Sequence, residues 1–480
     1  MSDSTAIVWF RRDLRLHDHP ALMAAVDGHA TVVPLYVLDP GLLRGRFASP
    51  NRAWYLLGSL RSLATNLAAL GAPLVVRIGD PAVVVPEVAA AAGATDVYVS
   101  RDHAPYGRAR DRRVARALTT APLDVRLHAR TGVLVHEPEV IATLDGRPYR
   151  VYSPFRHAWA RLPRREAMGT PSSLAGHDLP PGEVPPLAAL GLGDGPTADP
   201  ALLPEPGEAA ARRRLERWLA RGLGGYAETR DRLDLTEGTS RLSADLHLGL
   251  LSPTEIVERA IGDGEGRRAF IGEIVWREFY AHVLFHSPAA RHASVRAEFD
   301  AIEWSDDDAA LEAWRTGQTG YPVVDAAMRQ LTATGWMHNR ARMIAASFLT
   351  KDLLIDWRVG EAHFMAHLVD GDVASNNGGW QWSASTGTDS QPYFRIFNPV
   401  SQGRRFDPDG EYVRRWVPEL AEVPTAQIHA PWEMSIDVAR ASGVRIGTDY
   451  PVPIVDHAEA RTRALATYGA ARGSRGRDLR

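Results

Sequence analysis

Ten prolines fall between Pro163 and Pro206, among them the pairs Pro180-Pro181 and Pro185-Pro186. Proline fixes φ and removes a backbone donor, so no long helix or central strand survives such a stretch. A segment this long without elements of its own reads as a crossing between two folding units. The chain changes character across it. Before it, short apolar runs at Ala6–Phe10, Ala30–Leu38, Pro73–Ile78, Asp96–Ser100 and Asp124–His128 are spaced by helical patterns at Arg52–Leu70, Ala82–Ala92 and Gly107–Leu118. That pattern predicts βαβ units and a parallel sheet covered on both faces, an α/β domain at about residues 3–130. After it, apolar residues recur at helical spacing over Arg267–His286, Pro322–Gly335, Asn339–Ile355 and Val359–His367. Ten of the thirteen tryptophans lie there, which predicts one large helical core. The expected division is a connector at 131–207, an all-α domain at 208–470 and a flexible Arg/Gly-rich tail at 471–480.

The 480 residues are 45% hydrophobic and 24% charged, which excludes a disordered chain, a collagen and a coiled-coil rod. There is no cysteine, so disulfides, iron–sulfur clusters and thiolate catalysis are excluded. No apolar run approaches the ~20 residues of a membrane-spanning helix. Met1–Arg12 lacks the pattern of a signal peptide, so a cytoplasmic protein without a membrane partner is expected. The net charge of -3 does not announce a nucleic-acid partner, although a local basic groove can hide beneath such a total.

Four stretches carry function-capable groups. Gly238-Thr239-Ser240-Arg241-Leu242-Ser243 precedes a helix, so its hydroxyls, amides and Arg241 are able to cradle a phosphate; a plain helix cap reads the same residues differently. Glu273, Trp276 and Arg277 share one helix face by their i, i+3, i+4 spacing. They suit a planar ligand, or a surface ion pair beside a core aromatic. Asn339 and Met343 stand one turn apart, with His338, Arg340 and Arg342 around them. Asp370-Gly371-Asp372 precedes Asn376, Trp380 and Trp382. A calcium loop is rejected there because its later ligands are missing. So polar a run reads as the lining of a site. Ser/His/Asp triads, metal-ligand spacings and a Gly-x-Gly-x-x-Gly fingerprint have no local support.

Read in order, the motifs resemble the photolyase/cryptochrome family. They are Trp9-Phe10-Arg11-Arg12-Asp13-Leu14-Arg15, Gly225-Tyr226, Gly238–Ser243, Trp276-Arg277-Glu278-Phe279-Tyr280, Gly320-Tyr321-Pro322, Asp370-Gly371-Asp372, Asn376–Trp382 and Tyr393–Pro399. Within it they resemble most the bacterial class I cyclobutane pyrimidine dimer photolyases. The resemblance implies a Rossmann-like antenna domain and an all-α domain holding FAD, whose reduced form passes an electron, under light, to a flipped pyrimidine dimer in UV-damaged DNA. It implies a monomer.

Carried over by position, Tyr226, Thr239, Ser240, Arg241, Leu242 and Ser243 would hold the FAD phosphates. Asp370, Gly371 and Asp372 would face flavin and ribose, with Arg342 paired to Asp370. Asn376 would stand beside the redox-active nitrogen. Glu273, Asn339 and Met343 would meet the lesion, and Trp276 and Trp382 would pack on its rings. Arg230, Arg277, Tyr280, Arg340 and Gln402 would complete the DNA contact. Trp304, Trp357 and Trp380 would form an electron-transfer chain; core packing is the other reading of the three. A basic strip of Arg230, Arg277, Arg340, Arg342 and Arg395 is expected at the cavity.

The resemblance also implies a second, antenna chromophore, deazaflavin or methenyltetrahydrofolate. Asp102–Asp111 resembles the deazaflavin type, but His247 stands where such members usually have lysine. Phe270 stands where relatives often have tryptophan. Three alternatives weigh less: a cryptochrome-type blue-light sensor without repair, a (6–4) photolyase, whose histidine pair is replaced here by Asn339 and Met343, and a metabolic nucleotide-binding enzyme.

Overall fold

The computed structural model describes residues 4–120 and 124–474. Five strands, β1 (Thr5–Phe10), β2 (Thr31–Leu38), β3 (Val75–Ile78), β4 (Ala94–Ser100) and β5 (Arg126–Arg130), form one parallel sheet in the order β3-β2-β1-β4-β5. β1 sits at its centre, pairing Ile7 with Val33 on one side and with Val97 on the other. Helices cover both faces, so the inner strands are buried on both. Four of the intervening helices, Pro20–Gly28, Pro50–Ala69, Pro81–Ala92 and Pro105–Leu118, begin with proline in the first turn. Proline lacks only a donor that would be unpaired there, and His19, Ser49 and Asp80 each cap the turn from the preceding position. The helix Pro20–Gly28 was absent from the sequence expectation. Its small residues make no clear apolar stripe.

The connector is more ordered than its composition implied. It contains the ten-residue helix Tyr152–Arg161, outside the proline-dense part, and short 3-10 turns at Pro138–Val140 and Ala188–Leu190. Elsewhere it lies along the first domain in extended form. Val76 N–H donates to Pro181 O at 2.6 Å, so the proline-rich strand covers the β3 edge by accepting bonds it cannot donate.

The second half is helical. Its spine is the 22-residue helix Glu265–His286, which packs against Val373–Ser383. The approach is close because Gly378 faces Tyr280. A Cβ at 378 would stand 2.1 Å from the tyrosine ring. The expected continuous helix over 339–355 is broken: Asn339–Ser347 is followed by a π turn, Phe348–Asp352, and Leu354 takes a left-handed φ of 52°. The π turn carries Lys351, the sole lysine of the chain. It is fully buried, with Nζ 2.9 Å from Ser385 Oγ and 3.6 Å from the centre of the Tyr468 ring. Burial pushes its ammonium well below the usual lysine range. The helix His457–Ser474 runs into the expected tail; positions 475–480 of that tail, like residue 3 of the first domain, lie outside the described residues.

The two halves share one apolar core, in which Leu14 and Tyr55 join Leu215, Leu248 and Phe279. Polar ties reinforce it: Leu14 N–H donates to Leu248 O at 3.1 Å, and Tyr55 OH to Asp245 at 2.6 Å. Among the described residues no helix is long and apolar enough to cross a membrane.

The Gly378 contact gives a direct test. Gly378→Ala is expected to destabilise the protein by about 1–3 kcal/mol through overpacking. Gly469→Ala, in a helix with open space at Cβ, should be neutral or stabilising by up to about 1 kcal/mol. Denaturant midpoints of the two variants, at unchanged m, check this.

Candidate functional site: two cavities with a common wall

A cavity of about 450 Å³ opens between the helices of the second half. At one end lies the segment Thr239–Ser243. Arg241 takes a left-handed φ of 52° and lays its guanidinium over Trp336 at 4.5 Å. The following helix, Ser243–Leu248, has no side-chain cap. The plain-cap reading of this stretch is therefore not realised, and its amides and hydroxyls are left to line the cavity with Tyr226. Phe270 fills the core behind, between Trp218 and Tyr226, with ring centres 5.6 and 5.9 Å away.

The turn Asp370–Asp372 forms the inner wall. Asp370 Oδ2 accepts from Arg342 Nη2 at 2.8 Å, the expected pair. Its Oδ1 is buried with no protein partner. Asp372 is occupied on both oxygens. Oδ1 accepts from Ser375 N–H at 2.9 Å and caps the helix Val373–Ser383; Oδ2 accepts from Arg12 Nη2 at 2.6 Å. Burial alone would raise this carboxyl, but Arg12, His247 and Arg277 hold it well below the usual carboxylate range. The capped helix brings Asn376, Trp380 and Trp382 to the cavity. Asn376 Nδ2 donates to the backbone oxygen of Glu361 at 3.0 Å.

Glu273, Trp276, Arg277 and Tyr280 line the cavity from the long helix, and Asn339, Arg340, Arg342 and Met343 from the helix Asn339–Ser347. Asn339 is exposed, and its Nδ2 lies 3.9 Å from Met343 Sδ. Trp276 stacks on Tyr152 of the connector helix at 3.7 Å and 4° between planes. Glu273 does not pair with Arg277. It meets Arg230 at 2.8 Å, while Arg277 donates to Val133 O at 3.0 Å. Burial pushes the Glu273 carboxyl up, against the pull of Arg230. The expected basic strip is thus partly neutralised: Arg230 meets Glu273, Arg340 meets Asp231 at 2.8 Å, and Arg342 meets Asp370. His338 is structural: its Nδ1 accepts from Arg340 N–H, and burial lowers its pKa to about 4.

Four predicted positions are not in the cavity lining. Arg395, expected in the basic strip, is exposed in a loop. Gln402 lies on the neighbouring helix Pro399–Phe406. Trp357 is fully buried, and Trp304 packs against the same apolar core that holds Trp380. Trp380 meets Phe364 and Trp314 edge-on at 4.9 and 6.0 Å. Sequence reasoning assigned no role to Trp336 or Asp231, whose partners Arg241 and Arg340 are far away in sequence, nor to Ser375, whose backbone N–H meets Asp372 one turn before it.

A second cavity of about 270 Å³ lies where strand order reverses on either side of β1, at the carboxyl ends of β1, β2 and β4. Its polar groups are Arg11, Arg12, Asp39, Asp102, His103 and Arg110, its apolar walls Trp9, Tyr36, Leu42 and Phe47. Gly371, Asp372, Arg277 and His247 close it from the helical side, and the first three of these also line the larger cavity.

A helical domain with such a cavity, docked on a parallel sheet with a second cavity at its switch point, defines a two-domain protein with two candidate ligand sites. A family model described as the FAD binding domain of DNA photolyase matches residues 270–470, and one described as DNA photolyase matches residues 6–172. A deoxyribodipyrimidine photo-lyase of Escherichia coli (strain K12) is 42% identical, over 98% of this chain and 99% of its own. A bacterial class III photolyase structure from Agrobacterium tumefaciens superposes with a TM-score of 0.92 at 41% identity, covering 98% of both chains. A cryptochrome structure from Synechocystis sp. PCC6803 gives 0.88 at 32%, covering 97% of this chain and 99% of that one. The chain belongs to the DNA photolyase family.

The environment of Asn376 yields a pH prediction. Glu361 is buried beneath it, with Asn377 and, 3.7 Å away, Arg46 as its polar neighbours. Burial raises its pKa to about 7, from 4.5. The folded state thus holds the proton longer than the unfolded one, so stability is full below about pH 4.5 and falls as pH rises through 7. Glu361→Gln should match the parent at pH 4 and exceed it at pH 8, by up to about 3 kcal/mol. Denaturation at the two pH values reads the difference.

Proposed function

We propose that this protein is a light-driven DNA-repair lyase, a deoxyribodipyrimidine photo-lyase that splits cyclobutane pyrimidine dimers. The observation that carries the reading is the pairing, in one cavity, of a nucleotide-type wall with a lesion-type mouth. The residues present fit FAD: Asp370 keeps a buried oxygen without a protein partner, and Thr239–Ser243 offers uncapped amides and hydroxyls at the other end. Reduced FAD, when bound, supplies a light-excited electron that opens the cyclobutane ring and is returned afterwards.

The chain's own residues do the rest. Tyr226 and Thr239–Ser243 would hold the phosphates, and Asp370, Gly371 and Asp372 would face flavin and ribose, with Arg342 keeping Asp370 oriented. Asn376, anchored through its amide on the Glu361 backbone oxygen, would offer its side-chain oxygen to the flavin. Base-flipping enzymes, photolyases among them, extrude their target at a cost of a few kcal/mol, less for a damaged base. Glu273 and Asn339 would satisfy the polar edges of the flipped pair. Met343 and Trp382 offer soft, apolar contact, and Trp276 a face braced by Tyr152. Arg230, Arg277, Tyr280, Arg340 and Gln402 would meet the strand. Trp380, Trp357 and Trp304, which share one apolar core, would carry electrons to the flavin from the surface.

The second cavity suits a planar, anionic antenna chromophore. Five arginines (Arg11, Arg12, Arg52, Arg110 and Arg277) face three carboxylates (Asp39, Asp102 and Asp372) among aromatic walls. That balance favours a deazaflavin or a methenyltetrahydrofolate over a neutral ring. A monomer in the cytoplasm completes the reading.

The test is light-dependent reversal of a thymine cyclobutane dimer in a defined duplex, with a (6–4) lesion and a dark control beside it. Dimer reversal only in light is expected. Absence of repair by flavin-loaded, photoreducible protein would favour a sensor. Glu273→Ala should lower repair at least tenfold while retaining FAD; loss of FAD would mean that Glu273 belongs to the cofactor's site.

A further inference from the structure

The inner wall of the large cavity is a turn of the helical domain, yet half of what holds it comes from the other domain. Arg12 follows the carboxyl end of β1. Its guanidinium donates to Asp372 Oδ2 at 2.6 Å and to His247 O at 3.2 Å. Arg52 stands in the first turn of the helix Pro50–Ala69 and reaches under the turn from the other side. Its Nη1 donates to Leu368 O at 2.7 Å and to Met365 O, the carbonyls that end the helix Trp357–His367, and its Nη2 donates to Phe47 O. Gly371 lies directly over it: a Cβ there would stand 2.4 Å from Arg52 Nη1. Burial lowers the Arg52 guanidinium only to about 10, so it stays charged at neutral pH.

We propose that Arg12 and Arg52 are positioning residues of the flavin site: the α/β domain sets, through these two guanidiniums, the turn Asp370-Gly371-Asp372 and the start of the helix that carries Asn376 and Trp380. The inference rests on the assignment of the large cavity to FAD. The division of labour follows from chemistry. Arg12 makes one charge-assisted bond to a carboxylate that also caps a helix. Without it, Asp372 loses the one guanidinium bonded to Oδ2, keeps only the longer-range pull of His247 and Arg277, and is free to rotate off Ser375 and away from the cofactor. Arg52 spans carbonyls from one loop and one helix end with a planar fork, a task a point charge on a flexible stem cannot reproduce. The two should therefore differ in what rescues them.

The experiment uses the full-length protein. FAD dissociation constants are measured by equilibrium dialysis for the parent, Arg12→Gln, Arg12→Lys, Arg52→Gln, Arg52→Lys and Gly371→Ala, with thermal midpoints of the same samples without FAD. Arg12→Gln and Arg52→Gln should weaken FAD on the order of tenfold to a hundredfold, as removal of groups that orient ligand-holding side chains does elsewhere. Arg12→Lys should recover most of the affinity and Arg52→Lys little. Gly371→Ala, which drives Arg52 out, should weaken FAD to a similar extent, and its effect should not add to that of Arg52→Gln. This arm also holds the proposal to account if an arginine variant does not fold. Arg108→Ala is the control, since Arg108 Nη1 makes a comparable interdomain bond to Phe285 O at 3.1 Å away from the turn. It should leave FAD affinity unchanged. The proposal is overturned if the arginine variants bind FAD as the parent does, or if Arg108→Ala weakens FAD equally, which would make the arginines domain glue only. If the parent itself takes up no FAD, the flavin assignment fails instead.

Discussion

A carboxylate at Asp372 is the hinge of the whole arrangement. One oxygen ends the backbone ladder of the helix Val373–Ser383 and the other receives a guanidinium from the sheet domain. Two facts make this affordable. The group is partly shielded from water, so its attractions are worth more than on a surface, and cations outnumber it nearby: Arg12 and Arg277 both act on it, with the His247 ring beside them. Remove that charge and the helix loses its cap, the domains lose a tie, and two cavities lose a wall in common. Domain docking and site geometry are thus one problem here.

The broad architecture was legible because it follows from periodicity. Apolar runs buried on two faces announced the parallel sheet, and all five strands fall within a few residues of their expected positions. Failures have local causes. The helix Pro20–Gly28 is short and Ala-rich and shows no stripe. The stretch 339–355 keeps helical spacing through a π turn that tertiary packing imposes. Within the site, contiguous motifs marked Asp370–Asp372, Asn376 and the Asn339–Met343 face. Pairings across the fold stayed hidden. Glu273 has an arginine one turn away, yet it takes Arg230 from another element, since Arg277 is drawn inward to backbone carbonyls. Arg12 stands in a motif that was noticed and still received no role, its partner lying 360 residues onward.

The distribution of charge also reconciles a nearly neutral chain with a polyanionic partner. Three of the five arginines lining the large cavity are matched to carboxylates, through Arg230–Glu273, Arg340–Asp231 and Arg342–Asp370. Such pairs hold guanidiniums in fixed directions while the free protein has no ligand to neutralise them. In the proposed DNA contact an arriving phosphate would compete with a carboxylate already in place, so the surface would exchange partners in preference to attracting them by net field.

The π turn at Phe348–Asp352 has a further consequence. Every other cation on a side chain here is an arginine or a histidine, and the one ε-amine is sealed between Ser385 and Tyr468. Native protein thus shows no lysine to an acylating reagent. Acylation at position 351 can proceed only when the helical half opens, and there the reaction is fast, because a free amine in water is a good nucleophile. The chain carries a built-in stopwatch for its own breathing, read by the mass of a single peptide.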